Sequence, residues 1–443
     1  MRRIVIVSGI ALVFFLAACS HPPAGERAVL DRDFGVAGWV EVGNQRAQGG
    51  DAGVVLKRDS AGRLWLAGRT CTAAESPCAR EHTAAALWRF LASGEMDTNF
   101  AQNGAWVVDG IGRGNIDLVF DLAFWKGAAV LAGTVESLGG DTNLALWAID
   151  EGGMPVPGLF GGRGYWIMDG TLASGGDEYA TRLWPDGDRL WLVGGASPAG
   201  TNHYAAAWRI QADGSLDAGF DGDGIWTSAQ PNRWAIAMVV DRAGRPVFGG
   251  GFDPLLWRLL PQGGLDPTFG NQGELALPMG RADTGLVRSI LEMDDGYLVA
   301  GFLRLGQVRP VLWRVTAAGA LDPAFGDQGL LVLPGESFYY YDDRGRFGVY
   351  GLGLAVDEEG RILVVGGVKK ENGDLDLAIW RVLPEGKLDP DFCGGNACLW
   401  DSGHGNDWGA SLVYEGGTLW IGGRMASAQG DYDAAVWKFK IRR

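Results

Sequence analysis

The chain has 443 residues, of which 72 are glycine and 19 are tryptophan. A hydrophobic fraction of 47% supplies enough apolar side chains for a large core, which excludes disorder over most of the length. The formal net charge of −15 argues against nucleic acid as a partner, because phosphate binding needs a basic face.

The first residues have the layout of an export signal. Arginines precede an apolar run of about a dozen residues, which is too short for a spanning helix and ends in Leu16–Cys19. This stretch resembles a bacterial lipoprotein signal. The resemblance implies cleavage before Cys19, acylation of its thiol by fatty chains such as palmitate, and, with Ser20 next, an outer-membrane location. An ordinary secretory signal with a free Cys19 is the alternative.

Two motifs repeat along the rest of the chain: versions of LDPAFGDQG (Leu321–Gly329), and a tryptophan after two apolar residues. The repeated phenylalanines are Phe34, Phe100, Phe160, Phe220, Phe269, Phe325 and Phe392, and the tryptophans are Trp88, Trp147, Trp208, Trp257, Trp313, Trp380 and Trp437. Phe34 has no tryptophan before it and Trp437 has no phenylalanine after it. The half-units at the two ends therefore complete one another, as in a closed ring of seven units.

Each unit contains four short apolar segments bounded by glycine and aspartate turns, which is typical of β-strands. We letter these strands A to D along each unit and number the units by their tryptophans. Glycine recurs in the A–B turns (Gly62, Gly127, Gly187, Gly244, Gly296, Gly360, Gly416), near the end of strand B (Gly68, Gly133, Gly194, Gly250, Gly301, Gly366, Gly422), and four residues after the phenylalanine (Gly38, Gly104, Gly164, Gly224, Gly273, Gly329). Unit six has Asn396 at the last position, where we expect a left-handed backbone.

These turns and strands, together with LDPxFGxxG, resemble the delta-60 repeat of bacterial β-propellers. The resemblance covers about Leu30 to Phe439 and implies the fold, but it brings no activity and no catalytic residues. Unit two departs from the pattern with MPVPGLFGG, and unit six with FCGGNAC. We therefore predict an all-β, seven-bladed β-propeller of four-stranded blades, closed by pairing of the N-terminal strand with the C-terminal blade. The predicted divisions are a signal peptide (1–18), a lipid-anchored tether (19–29) and the propeller (30–443).

An arginine after the tryptophan is coupled to an aspartate eight residues later. The pairs are Arg89 with Asp97, Arg209 with Asp217, Arg258 with Asp266, Arg314 with Asp322, and Arg381 with Asp389. Unit two has Ala148 and Val156 instead, so both charges are absent together, as expected of partly buried ion pairs.

The same register applies to the two ends of the chain. Lys438 should reach Asp31, and Gly38–Val42 should pair with the Trp437 strand.

Four cysteines lie in two local pairs in a chain that we expect to be exported. They predict two disulfides, Cys71–Cys78 and Cys393–Cys398. A four-cysteine zinc site would need both pairs together, and strand order places them on opposite faces. No metal and no cofactor are predicted.

The B–C loops and the crossings from strand D to the next strand A are long and uneven, so we expect function on that face. The crossings carry Arg46, Arg113, Arg233, Arg281 and Arg344, with His404 in the seventh unit. These arginines either form an anion-binding mouth or, as we favour, pair with the nearby Asp51, Asp117 and Asp283. Tyr339, Tyr340 and Tyr341 in the longest crossing suggest either a contact surface or rings folded back onto the blade.

The sequence favours a non-enzymatic binding scaffold. It has no HExxH, nucleophile-elbow or phosphate-loop motif. The alternative is a glycosidase-like propeller in which loop carboxylates such as Asp141, Glu371 and Asp431 converge.

The favoured prediction is a monomer that is lipid-anchored in the cell envelope. It binds an envelope protein or an extracytoplasmic ligand.

Overall fold

The computed structural model describes residues 25–43, 50–71, 83–198, 202–337, 351–428 and 430–442. Within these ranges the chain folds into antiparallel strands, apart from a 3-10 turn at Phe160–Gly162. The all-β prediction is confirmed. Among the residues described, no helix has the length and apolar character required to cross a bilayer.

The strands are short and follow one another closely. In chain order they are β1 (Arg27–Leu30), β2 (Trp39–Val42), β3 (Ala52–Arg58), β4 (Leu64–Cys71), β5 (Thr83–Phe90), β6 (Ala105–Val108), β7 (Arg113–Trp125), β8 (Ala128–Ser137), β9 (Thr142–Ile149), β10 (Tyr165–Met168), β11 (Glu178–Asp186), β12 (Arg189–Ala196), β13 (Tyr204–Gln211), β14 (Ile225–Thr227), β15 (Ala237–Val240), β16 (Pro246–Gly250), β17 (Leu255–Arg258), β18 (Glu274–Ala276), β19 (Gly285–Met293), β20 (Gly296–Leu305), β21 (Gln307–Thr316), β22 (Leu330–Val332), β23 (Gly353–Val356), β24 (Ile362–Lys369), β25 (Leu375–Val382), β26 (Cys398–Trp400), β27 (Trp408–Glu415), β28 (Thr418–Ala426) and β29 (Tyr432–Arg442).

Most sheets consist of four consecutive antiparallel strands, as in β11–β14, β15–β18, β19–β22 and β23–β26. An eight-stranded sheet contains two such groups, β3–β6 and β7–β10, which are joined by a parallel bridge between Thr83 and Ile116. The last sheet combines β27, β28 and β29 with β1 and β2. Among the described residues no single sheet closes on itself, so the sheets meet through side chains and turns.

The two ends of the chain share one sheet. Trp39 in β2 lies opposite Trp437 in β29, and Val42 lies opposite Ala434. Strand β1 pairs with the same edge of β29, closer to the C-terminus, from Leu30 opposite Phe439 to Arg27 opposite Arg442. The predicted pairing of the N-terminal strand with the Trp437 strand is confirmed.

The first strand of each group contacts the first strand of the next group. These innermost strands are β3, β7, β11, β15, β19, β23 and β27, and β27 contacts β3 in turn. Glycine permits the close packing of the strands beside them. A Cβ atom on Gly68 would lie 1.9 Å from the carbonyl oxygen of Ala52, which confirms the close backbone approach expected there.

A second set of contacts joins the C–D turns, and we call it the turn belt. In each case an amide at or just after the repeated phenylalanine donates to a carbonyl at 2.8–3.0 Å, which belongs to the turn of the next unit in six cases and to the N-terminal segment in the seventh. The donor–acceptor pairs are Gly35–Ser93, Ala101–Gly152, Phe160–Ala212, Asp221–Gln262, Gly270–Ala318, Gly326–Glu385 and Cys393–Glu26. The belt therefore links the N-terminal segment both to unit one and to unit six.

The core lies between the sheets and contains the repeated aromatic residues. All seven repeated phenylalanines are at most 2% exposed, and all seven tryptophans at most 3%. Burying a side chain of this size contributes roughly 1.5–3 kcal/mol to folding. The two motifs therefore repeat because they build the same part of the core in every unit.

Most, but not all, of the backbone expectations are met. The seven A–B turn glycines have φ between +53° and +155°, and the six glycines after the phenylalanine have φ between +71° and +113°. The expectation for Asn396 is wrong. In unit six the residues with positive φ are Cys393, Gly394 and Gly395. The altered sequence of this turn therefore shifts the left-handed residues to positions before Asn396.

The predicted Arg–Asp ion pairs form in four of the five units. The Nε–Oδ2 distances are 2.8 Å for Arg89–Asp97, 2.7 Å for Arg209–Asp217, 2.8 Å for Arg258–Asp266 and 2.7 Å for Arg381–Asp389. The prediction for Arg314 and Asp322 is wrong. The guanidinium of Arg314 instead contacts Asp295, because the A–B turn of that unit presents its own carboxylate.

The predicted disulfide between Cys393 and Cys398 is present, with Cα atoms 5.5 Å apart. Cys71 is also disulfide-bonded. Its predicted partner, Cys78, lies outside the described residues, as does the predicted lipidation site, Cys19.

Candidate functional site

Strand direction gives the domain two different faces. The B–C loops and the D-to-A crossings form one face, which we call the long-loop face; it includes 109–112, 138–141, 169–177, 277–284, 370–374 and 401–407. The A–B and C–D turns form the short-turn face, which carries the turn belt. Backbone groups of the short-turn face are thus largely used in joining neighbouring units.

The predicted binding residues that the structure describes lie on separate crossings. Arg113 begins β7 and is exposed, with φ of +72°. Arg233 Nη1 lies 3.2 Å from Asp253 Oδ2. Arg281 and His404 are exposed in the crossings that lead to β19 and β27. The remaining predicted residues lie outside the described residues: Arg46, Tyr339, Tyr340, Tyr341 and Arg344.

The expected pairing of crossing arginines with nearby aspartates is wrong for Arg113 and Arg281. Asp283 pairs with Arg304, at 2.8 Å between Oδ2 and Nη2. Asp117 is 1% exposed, and its Oδ2 accepts from the Ile111 amide at 3.3 Å. The two arginines therefore remain at the surface, while the aspartate beside Arg113 is buried and bound to backbone.

Asp117 belongs to a set of buried acids that sequence reasoning did not recognise as a set, since it assigned Asp51 and Asp117 to crossing arginines. Asp51, Asp117, Glu178 and Asp407 are each at most 1% exposed. The four acids occupy equivalent positions. In each case, the residue two positions later in the innermost strand pairs with a glycine of strand B. The signal in the sequence is an acid at the start of strand A in four of the seven units.

Three of these buried acids hold the crossing that leads into their own strand. Besides Asp117, Glu178 Oε1 accepts from the Thr171 amide at 3.0 Å, and Asp407 Oδ2 accepts from the Ser402 amide at 2.6 Å. Burial raises the pKa of Asp51, Asp117 and Glu178 to about 7 and that of Asp407 to about 6, even though these hydrogen bonds lower it. The main role of Asp117, Glu178 and Asp407 is therefore to order the crossings.

A cleft of about 540 Å³ follows the outer strand β10 of unit two. It begins at the crossing that contains Arg113 and ends at the 3-10 turn. The lining residues are Ile111, Gly112, Arg113, Asn143, Phe160, Gly161, Arg163, Tyr165, Trp166, Ile167 and Asp213. Arg113, Arg163 and Asp213 are exposed, whereas Asn143 is 6% exposed and its Oδ1 has no hydrogen-bond partner.

The cleft lies where the sequence departs from its own repeat. Phe160, Gly161 and Arg163 come from or directly follow MPVPGLFGG, the segment that replaces the common motif in unit two. Gly161 has φ of +68°, within the 3-10 turn that this segment forms. The same unit lacks the Arg–Asp pair. The departure was visible in the sequence, but the cleft that it lines was not.

Residues 360–392 match a family described as "Domain of unknown function (DUF5122) beta-propeller". This match supports the predicted resemblance to a bacterial β-propeller repeat. No curated protein matched the chain.

The chain is also similar to solved β-rich structures. A protein of unknown function from Dyadobacter fermentans is 12% identical, with a TM-score of 0.43 over 91% of this chain and 98% of that protein. A puromycin hydrolase is 16% identical, with a TM-score of 0.46 over 87% of this chain and 53% of that protein. A Trypanosoma rangeli sialidase is 9% identical, with a TM-score of 0.36 over 94% of this chain and 57% of that protein.

The loop carboxylates proposed for a glycosidase belong to three different units of the propeller. Asp141 and Asp431 each accept a hydrogen bond from a serine of their own loop, Ser137 and Ser427 respectively. Glu371 is exposed in the loop between β24 and β25. Within the described ranges, no group of three or more His, Cys, Asp or Glu side chains is placed to hold a metal ion. Asp141 and Asp431 therefore act as loop-closing residues.

Proposed function

We propose that the chain forms a closed, seven-bladed β-propeller that binds a protein segment or another extracytoplasmic ligand at the cleft of blade two. Two features support closure. The innermost strands contact one another in a series in which β27 contacts β3. The turn belt runs through all seven units and includes the N-terminal residue Glu26.

We also propose that Cys19 anchors the propeller to the outer membrane by its lipid chains. The described chain enters the domain on the short-turn face, where Glu26 accepts from the Cys393 amide and Arg27 lies opposite Arg442. The tether from Cys19 to Gly25 can span at most about 22 Å, at roughly 3.3–3.6 Å per residue. The short-turn face would therefore lie near the membrane, and the long-loop face would point away from it.

The observation that carries the binding proposal is the coincidence of the cleft with the irregular unit. A repeat that serves only the fold has no need to replace its common motif in one unit. Arg163 directly follows the replacement and lies in one cleft with Arg113, Tyr165 and Trp166. Exposed guanidinium groups beside large aromatic rings suit a ligand with both an apolar surface and a carboxylate.

Site-specific photo-crosslinking in intact cell envelopes tests this function. A photoreactive residue would replace Tyr165 in the cleft or, as a control, Lys126, which lies in an A–B turn. We expect a discrete crosslinked product from position 165 that disappears when Arg113 and Arg163 are both changed to Glu. The same product from position 126, or no product from position 165, would contradict the proposal.

A second candidate is glycoside hydrolysis at Asp51 and Asp433. Burial raises the pKa of Asp51 to about 7 and that of Asp433 to about 6, and the charge of Asp433 raises the pKa of Asp51 further. A general acid with a raised pKa beside a second carboxylate is the arrangement that glycosidases use. Turnover of a glycan library that is abolished by Asp433→Asn would favour this candidate over simple binding.

A further inference from the structure

Arg182 lies where the innermost strands of three sheets come together. It follows a break in the register of β11, between Ala180 and Arg182. Its guanidinium donates to the carbonyls of Thr181 at 2.6 Å, Phe120 at 3.4 Å and Arg288 at 3.4 Å. Because Phe120 is in β7 and Arg288 in β19, the side chain reaches across the space that these strands enclose. We call this space the central channel.

Arg182 is half-buried and, unlike four fully buried arginines of the chain, has no aspartate beside it. Arg89, Arg209, Arg258 and Arg381 each have an aspartate within 2.8 Å. Among the described residues no carboxylate lies within ion-pair distance of Arg182. Burial lowers the pKa of Arg182, and Asp121 offsets this only from a distance.

Asp121 forms no ion pair with Arg182, and its carboxylate binds backbone amides instead. Oδ1 of Asp121 accepts from the Leu122 amide at 2.9 Å, and Oδ2 accepts from the Leu183 amide at 3.0 Å. Arg182 therefore relies on main-chain carbonyls, which carry only partial charge. A desolvated guanidinium in such surroundings favours an additional anion.

An aromatic side chain and the accessibility of Arg182 add to the suitability of the channel for a small ligand. Arg288 contributes only its main-chain carbonyl to this site. Trp184 lies two residues after Arg182, hence on the same side of the strand, and is 38% exposed. Arg182 itself is only partly buried, so a small solute can reach it.

We propose that the central channel binds a small oxyanion at Arg182. The planar fork of the guanidinium matches two oxygens of one ligand group, as a carboxylate or a phosphate presents them. The site is separate from the cleft of unit two and requires no residue of that cleft.

Thermal unfolding and titration calorimetry of the full chain, with acetate, phosphate or sulfate added at constant ionic strength, test the proposal. Chloride serves as the anion that offers no pair of oxygens. We expect a saturable rise in Tm and measurable heat with at least one oxyanion; acetate alone identifies a carboxylate ligand, and phosphate or sulfate alone a tetrahedral one. No saturable response to any of them would overturn the proposal.

Variants locate the response. Arg182→Met should weaken the apparent affinity at least tenfold, while Arg281→Gln, which removes an exposed crossing arginine, should leave it unchanged. Arg182→Met also removes three hydrogen bonds to main-chain carbonyls, so the unfolding of Arg182→Met is first recorded in oxyanion-free buffer. If that variant does not unfold cooperatively, Arg182→Lys decides, since it keeps the charge but loses the fork. Unchanged affinity in a folded Arg182 variant would refute the site.

Discussion

Lys438 Nζ lies 2.9 Å from Asp31 Oδ2, so a salt bridge connects the last strand of the chain to the segment that follows the first. Lys440 Nζ lies 2.9 Å from the same oxygen. Burial alone would raise the pKa of Asp31, but hydrogen bonds from Lys440 and Lys438 lower it overall. The pair was predicted from the register of the repeats, and its presence shows that the N-terminal half-unit occupies the place that the repeats leave open.

Replacing Asp31 should weaken the junction between the chain ends. Asp31→Asn removes the charge from a residue that is 4% exposed, but both lysines are more accessible, so we expect a loss of about 1–3 kcal/mol. Urea unfolding measures the loss. The exposed Asp33→Asn serves as the control; equal stability of the two variants would show that the junction contributes little.

The Arg–Asp pairs should be energetically coupled where they form and independent where they do not. Arg89→Ala should cost about 3–5 kcal/mol, because it leaves the buried Asp97 unpaired. Adding Asp97→Val, which copies unit two, should recover part of the loss. A double-mutant cycle on Arg314 and Asp322, which do not pair, is the matched control and should be additive. Additivity at Arg89 and Asp97 as well would refute the coupling.

Stability should fall as the pH rises from about 4 to about 7. The folded-state pKa values of Asp51, Asp117 and Glu178 are raised to about 7, so the folded chain binds more protons than the unfolded chain in this window. Each group contributes up to about 1.4 kcal/mol per pH unit. The stability that they provide is fully present below the unfolded pKa and is lost as the pH rises through the folded one.

The pH effect can be assigned to a single residue. Asp117→Asn should be more stable than the unchanged chain at pH 8, and its free energy of unfolding should depend less steeply on pH between 4 and 7. Unfolding curves at several pH values check this. Groups with lowered pKa, such as Asp59 and Asp241, make the chain less stable as the pH falls. They are present in both the variant and the unchanged chain, so they cancel in the comparison. A slope unchanged by the substitution would contradict the assignment.

Glycine in the turn belt should be needed for packing as well as for conformation. Gly319 has φ of +75°, and a Cβ on it would lie 2.3 Å from the amide nitrogen of Gly270 in the preceding unit. Gly222 has φ of +88° but open space around it. Alanine at either position carries a conformational cost of about 1 kcal/mol. Gly319→Ala should lose more stability than Gly222→Ala, because only its Cβ would also collide with the neighbouring turn. Similar melting temperatures for both variants would contradict the role of the belt.

The sequence predicted the features that every unit repeats. Phe325 and Trp313 could be assigned to the core because seven copies share one spacing, and the pairing of β2 with β29 followed from the unmatched ends. Local exceptions were harder. The partner of Arg314 depends on which carboxylate the adjacent turn presents, and the φ of Asn396 depends on how a changed turn distributes its left-handed residues.

The candidate sites could be predicted less well than the fold. Arg113 was identified as a crossing arginine, but its neighbours Tyr165 and Trp166 belong to strand D of unit two, far away in sequence. Asp117 was expected to pair with a crossing arginine, and Glu178 was not singled out, because the burial of these acids is set by how neighbouring sheets meet. Arg182 carried no signal at all, since its partners are main-chain carbonyls of other units.

Deleting residues 30–42 tests closure of the ring most directly. The deletion removes β2, Phe34 and Asp31, and so leaves β29 with an unpaired edge and the turn belt interrupted. Calorimetric unfolding of the truncated and full chains should show a clearly lower Tm for the whole domain in the truncated chain, because opening the ring removes support from all seven blades. If the truncated chain melts at the temperature of the full chain, the ring is not closed by its N-terminal strand.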